Sequence, residues 1–196
     1  MRVVVATRNA HKLREIEALM GQVGWTLVSI DAIAPNAVLV EEEPTFAANA
    51  LAKARQARAA TGLAAIADDS GIEVDALGGA PGVRSARYAG EPCDDHANNL
   101  KVLAEMNGVG DRRAAFVVVL ALVMPNGREL VVEGRCEGTV AFEERGTNGF
   151  GYDAIFWRDD LGMTFGEAAP AEKNARSHRA AAARELLARL RAERLT

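Results

Sequence analysis

Cysteine, histidine and aromatic residues are all scarce in this sequence, and each scarcity narrows what the chain can be. It has two cysteines, Cys93 and Cys136, far apart and in no CxxC spacing. That argues against a disulfide scaffold or a zinc ribbon and leaves two reduced structural thiols as the expectation. The three histidines form no HExxH motif, and no Ser-His-Asp triad or GxxxxGK[ST] phosphate loop is legible. The longest apolar run, AAFVVVLALVM (114–124), is too short to span a bilayer. The opening MRVVVATRNAHK lacks the basic region, long apolar stretch and cleavage site of a signal peptide, so the expected location is cytoplasmic. A basic excess is missing too. Lys and Arg number 23 against 27 Asp and Glu, a net charge of −4. This disfavours a dedicated nucleic-acid binder but not a small anionic substrate, for which a few local cations suffice.

What is present describes a globular protein. Apolar residues make up 49% and charged residues 26%, enough for a sizeable core in one domain over residues 1–196, or in two small lobes. RVVVA (2–6) reads as a buried strand. Leu13, Ile16, Leu19, Met20 and Val23 recur at helical spacing over 9–24. TLVSI (26–30) reads as a strand. Thr45 caps a helix that runs to Gly62, and LAAIA (63–67) is a strand ending in the polar stretch ADDSG. DDHANNLKVLAEM is a helix after Pro92. AAFVVVLALVM is a central strand covered on both faces, joined through an Asn126-Gly127 hairpin turn to RELVVEGRCEGTVAF. A glycine-rich loop, GTNGFGYDAIFW, enters a further strand. A short helix, PAEKNARSH, precedes a long one with Leu186, Leu187 and Leu190 facing inward, while Arg184, Arg189, Arg191 and Arg194 read as solvated. Helices alternating with strands around one hairpin predict an α/β or α+β fold on a mixed sheet.

Several stretches could carry chemistry. In ATRNAHK a strand leads through a tight turn into a helix, the arrangement of an anion site. Thr7, Asn9 and Lys12 supply a hydroxyl, an amide and an ammonium, although capping by Thr7 or Asn9 explains the same residues. Glu41, Glu42 and Glu43 precede a helix, where acids are ordinary dipole partners or one carboxylate for a hard cation. Lys53 reads most simply as solvated. Asp68 and Asp69 are adjacent like charges that need water or a positive partner. They are either a polar turn or the second carboxylate source, at a strand end. Phe150 and Tyr152 could stack a base, with Asp153 as a polar reader; ordinary aromatic packing is the alternative. Gly149-x-Gly151-x-x-Ala154 is not a dinucleotide fingerprint, because AIFW continues as strand. Lys173, Arg176, Ser177, His178 and Arg179 form a basic turn, or a phosphate grip with His178 facing a base carbonyl.

Taken in order, TRNAHK, PTFAANALAKA, ADDSGIEVDALGGAPGVRSARYAG, FGYDAIF and AEKNARSHR closely resemble the inosine/xanthosine triphosphate pyrophosphatase family over essentially the whole chain. The resemblance implies an α/β fold with a long mixed sheet flanked by helices, two lobes with an active-site cleft between them, and a homodimer. It implies Mg2+-dependent hydrolysis of non-canonical purine nucleoside triphosphates (ITP, dITP, XTP) to the monophosphate and pyrophosphate, acting on small molecules rather than nucleic acid or membrane. Residue by residue, Asp69 matches the catalytic acid and a metal ligand. Ser70 matches a substrate contact. Thr7, Arg8, Asn9, Ala10, His11 and Lys12 match the triphosphate turn. Phe150, Gly151, Tyr152 and Asp153 match the base loop, and Lys173, His178 and Arg179 match residues that hold the nucleotide. Asp68 and Lys53 fit by position. The acidic segment is one residue short of the family pattern, so the second metal ligand maps to Glu41, with Glu42 as the alternative. Arg8 stands where many members have a small residue, and either adds a phosphate contact or points to solvent. Two other readings exist: a non-catalytic purine nucleotide binder, against which the paired carboxylates speak, and a Mg2+-dependent phosphatase for another phosphoester, against which the base loop speaks.

Overall fold

The β-branched run near the start forms strand β1 (Arg2–Val5) in a computed structural model that describes residues 1–193. Arg194 lies outside the described residues. Helix α1 (Ala10–Met20) follows, with Asn9 Oδ1 accepting the N–H groups of His11 and Lys12. Ile16 and Met20 are buried, and Leu13, Leu19 and Val23 pack beside them. Strand β2 (Thr26–Ser29) stops one residue before the expected end. Ser29 Oγ accepts the Asp31 N–H and opens a four-residue helix, α2 (Ile30–Ile33), a local side-chain bond that competes with the ladder. Helix α3 (Phe46–Thr61) has the predicted ends: Thr45 accepts the Ala48 N–H, and Gly62 takes φ +70°.

The chief departure from the sequence reading is β3 (Ala64–Val74). ADDSG is neither a turn nor a strand end. It lies inside one continuous strand, and the turn comes at Asp75–Leu77. Next come α4 (Asp95–Glu105), capped by Asp94, and then β4 (Arg113–Val123), buried at all but its first residue. The Asn126-Gly127 turn leads to β5 (Glu129–Val140), whose burial alternates over most of its length. The remaining elements are β6 (Phe156–Arg158), β7 (Met163–Thr164), α5 (Pro170–Arg176) and α6 (His178–Ala192).

The seven strands form one sheet in the order β2-β1-β3-β4-β5-β6-β7. β1 pairs in parallel with β2 and β3, while β5–β6 and β6–β7 are antiparallel, so the sheet is mixed as expected. No helix among the described residues is long and apolar enough to cross a membrane. Cys136 is buried and Cys93 exposed, both as free thiols.

The chain divides into two compact units, and the division falls directly after Asp69. The first unit holds residues 1–69, 118–134 and the chain from Arg179 onward. Its core joins Val3, Ile66, Leu120 and Leu122 from the strands to Ile16 of α1 and Leu186 and Leu190 of α6. Leu187 packs partly buried at its edge. The second unit, residues 70–117 and 135–178, has its own core of Ile72, Val102, Phe116, Tyr152, Phe156 and Phe165.

Candidate active site

Successive residues of a strand point to opposite faces. This resolves the adjacent aspartates in the first unit. β1 ends at Val5, in register with Ile66, whereas β3 continues. Asp68 and Asp69 therefore stand just past the end of β1, where the chain turns into α1. Asp68 is 1% exposed. Its Oδ2 accepts from Arg179 Nε (3.1 Å) and Nη2 (2.8 Å), and Lys12 Nζ is 3.3 Å away. Asp69 takes its partners from α3 instead: Asn49 Nδ2 at 3.0 Å on Oδ2 and Lys53 Nζ at 3.5 Å from Oδ1.

Lys53 is not solvated. It is 3% exposed, and its ammonium bonds the Asp68 carbonyl (2.6 Å) and pairs with both Asp69 and Glu41. Two further residues had no sequence signal of their own. Glu15 accepts from Arg179 Nη1 at 2.9 Å. Asn49 links the acidic segment to Asp69, accepting the Glu43 N–H (2.9 Å) and donating to the Glu43 carbonyl (3.2 Å). Both sit at interior-facing helix positions, where a polar residue is the available cue.

The electrostatics separate the two carboxyls. Burial pushes Asp68 up, but Lys12, Arg179 and Lys53 outweigh it and hold the group well below the usual range. Asp69 goes the other way: burial raises it, Glu41 adds to the rise, and Lys53, Lys12 and Asn49 only partly offset it. For Lys12, burial dominates and lowers the pKa. For Lys53, burial lowers it, but Asp68, Asp69 and Glu41 raise it above the ordinary value. This chain's own cations compensate Asp68, whereas at Asp69 they do so only in part. Among the described residues no three Asp, Glu, His or Cys side chains converge as a metal cage. Glu41 and Glu42 are both exposed, and Glu41 shares one ammonium with Asp69.

The turn before α1 carries its polar groups as the capping alternative has them. Asn9 caps α1, and Thr7 Oγ1 accepts the Asn9 N–H at 3.2 Å. Ala10 is the first helical residue, and exposed His11 contacts Arg14 at 3.1 Å. Arg8 is half exposed with its guanidinium engaged. It donates to Asp31 (3.0 Å) and to the carbonyls of Pro35 (2.9 Å) and Ala37 (2.8 Å), tying down the connection after α2. The Arg179 guanidinium is likewise engaged, by Asp68 and Glu15.

In the second unit the glycine-rich loop closes on Asp153. Its Oδ2 accepts the Phe150 N–H (2.8 Å) and Lys173 Nζ (2.6 Å), and Lys173 also lies 4.8 Å from the Phe150 ring centre. Gly149, at φ +76°, has no room for a Cβ, which would run into the Asp153 carboxylate. Tyr152 is a core residue, not half of a stacking platform: its hydroxyl donates to the Ser85 carbonyl at 2.7 Å. Asp153 and Lys173 are likewise buried, as an ion pair. Only Phe150 keeps a partly exposed ring. His178 is buried and stacks on Phe116 at 4.8 Å; Ser70 is half-buried on β3. The loop enters a 3-10 turn and then β6, consistent with rejecting a dinucleotide fingerprint. A cavity of about 170 Å³ is lined by Phe150, Gly151 and Asp153 together with Asp95, Asn99 and Glu144. Another, of about 680 Å³, lies among Arg112, Phe142 and Trp157 and contains none of the predicted residues.

The chain is similar to known proteins over nearly its whole length. Residues 3–189 match the model of the Ham1 family. A dITP/XTP pyrophosphatase of Aromatoleum aromaticum is 48% identical over 192 residues, 96% of each chain. One from Mycolicibacterium paratuberculosis is 50% identical over 191 residues, covering 94% of this chain and 93% of its own. The solved structure of the Staphylococcus aureus Ham1 protein superposes with a TM-score of 0.88 at 37% identity, covering 98% of this chain and all of its own. With the family model spanning nearly its full length and relatives near half identity, this chain belongs to the Ham1 family.

Proposed function

We propose that this chain is a nucleoside triphosphate pyrophosphatase that hydrolyses dITP, ITP and XTP to the monophosphate and pyrophosphate, keeping these nucleotides out of DNA and RNA. Its relatives carry the name dITP/XTP pyrophosphatase. The observation that carries the reading here is the division of labour between the two adjacent carboxyls. Asp68 is locked as an ion-pair partner. Asp69, held only by the Asn49 amide at 3.0 Å and by Lys53 at 3.5 Å among the described residues, is left for proton transfer. Asp69 accepts a proton from the water that attacks the α-phosphorus, and pyrophosphate leaves.

Glu41 and Asp69 fit a magnesium ion, which takes one or two protein carboxylates and completes its shell with water and phosphate oxygens. When bound, Mg2+ supplies Lewis-acid stabilisation of charge on the phosphates. Lys53 keeps the two carboxylates facing one point, and Lys12 offers an ammonium for the triphosphate beside the start of α1. Phe150 stacks the base, and His178 donates to a 6-keto group. A site built to donate there leaves a buried donor unpaired against the 6-amino group of adenine, which gives discrimination. The protein acts as one domain, as a cytoplasmic homodimer on free nucleotides. Its net negative charge supports a small-molecule partner over nucleic acid.

The test is to incubate the purified protein with Mg2+ and dITP, ITP, XTP, ATP or GTP and to identify the products. Pyrophosphate and monophosphate from the first three are expected. Release of orthophosphate, or equal turnover of ATP, contradicts the reading.

A further inference from the structure

Gly151 presents an unusual combination. It takes φ +61°, and a Cβ there would meet nothing within 4 Å, so neither packing nor a side chain restrains it. Glycine is the residue with the most backbone freedom to lose. Yet both of its peptide polar groups are held by α4. Its N–H donates to Asp95 Oδ2 at 2.6 Å, and its carbonyl accepts from Asn99 Nδ2 at 3.2 Å. Asp95 and Asn99 are four residues apart, so they share one face of the helix. Asn99 Nδ2 also donates to Glu144 Oε1 at 2.8 Å, and Glu144 Oε2 lies 2.7 Å from His96 Nδ1. The loop is therefore tied to α4 at both Glu144 and Gly151.

Asn99 is 2% exposed, and its Oδ1 is buried with no hydrogen-bond partner among the described residues. A residue present only to fill space would not carry that cost. The amide is oriented to place its donors on the loop, and its own oxygen is left over.

We propose that Asp95 and Asn99 are positioning residues that fix Phe150 and Gly151 for base recognition. This rests on reading that loop as the base-binding segment. The clamp settles the loop in advance, so nucleotide binding does not have to order it. Its effect falls on KM and on base discrimination rather than on the chemical step.

The experiment compares the wild type with Asp95→Ala, Asp95→Asn and Asn99→Leu. It uses dITP and dATP kinetics, melting temperature and amide hydrogen exchange over residues 146–152. Asp95 is exposed and does not cap α4, so Asp95→Ala is expected to fold. That variant should raise KM for dITP about three- to tenfold, the worth of one net hydrogen bond. Its kcat should stay within twofold, and the loop amides should exchange faster. Asp95→Asn keeps an acceptor and should restore KM. Asn99→Leu should raise KM further; should it fail to fold, the two Asp95 variants decide alone. Unchanged KM in Asp95→Ala, or Asp95→Asn behaving like Asp95→Ala, overturns the clamp. A wild type that releases no pyrophosphate from dITP overturns the underlying reading instead, and the exchange data then report separately on whether α4 holds the loop.

Discussion

Arg179 and Asp68 lie 111 positions apart and form a buried pair, with Nη2 2.8 Å and Nε 3.1 Å from the same carboxylate oxygen. The first described residues of α6 are thereby fastened to the middle of β3. Glu15 of α1 accepts from the other side of the same guanidinium, so one side chain ties together three elements of the first unit.

Removing one partner of such a pair leaves the other charge buried and uncompensated. Arg179→Ala is expected to cost about 3 to 5 kcal/mol of stability, read by urea unfolding. A loss below about 1 kcal/mol, the worth of an exposed pair, would show that Asp68 finds other compensation.

Asp69→Asn removes the proton acceptor while keeping the shape and a group able to meet the Asn49 amide. Pyrophosphate release from dITP should fall by about a hundredfold or more, with the melting temperature near that of the wild type. Near-normal turnover would remove Asp69 from the chemistry.

The two candidate glutamates should part in metal titrations. Glu41→Gln should raise the Mg2+ concentration needed for half-maximal activity, because Glu41 shares Lys53 with Asp69. Glu42→Gln, at a residue that makes no ion pair with Lys53 among the described residues, should leave it unchanged. The reverse result would reassign the ligand.

Gly149→Ala meets two obstacles at once, a positive φ and the Asp153 carboxylate. The variant should melt at a lower temperature and raise KM for dITP, since Asp153 holds both the Phe150 N–H and Lys173. Wild-type melting and kinetics together would contradict the loop geometry.

Much of the fold was legible along the chain because its signals are local. Thr45 and Gly62 mark the ends of α3 through capping that needs nothing beyond a few neighbouring residues. The apolar stretch of β4 announces burial on both faces, and Asn126-Gly127 announces its turn. β3 was misjudged at ADDSG because local composition says turn. In the fold, Lys12, Arg179 and Lys53 compensate Asp68, so the strand runs through. Lys53 was misread for the same reason, since nothing near it in sequence shows that Glu41 and Asp69 will meet it. The buried partners of Tyr152 and Asp153, Ser85 and Lys173, stand far off along the chain and leave no local signal.

The sequence by itself determined the element types, the mixed sheet and the family, because periodicity, capping and ordered motifs are written in consecutive residues. Only the tertiary structure decided which partners each carboxylate meets, Arg179 and Lys12 for Asp68, Asn49 and Lys53 for Asp69. A strand sends neighbouring side chains to opposite faces, and the partners waiting there arrive from α1, α3 and α6. A charge's role depends on what surrounds it in space, and those surroundings come from distant parts of the chain.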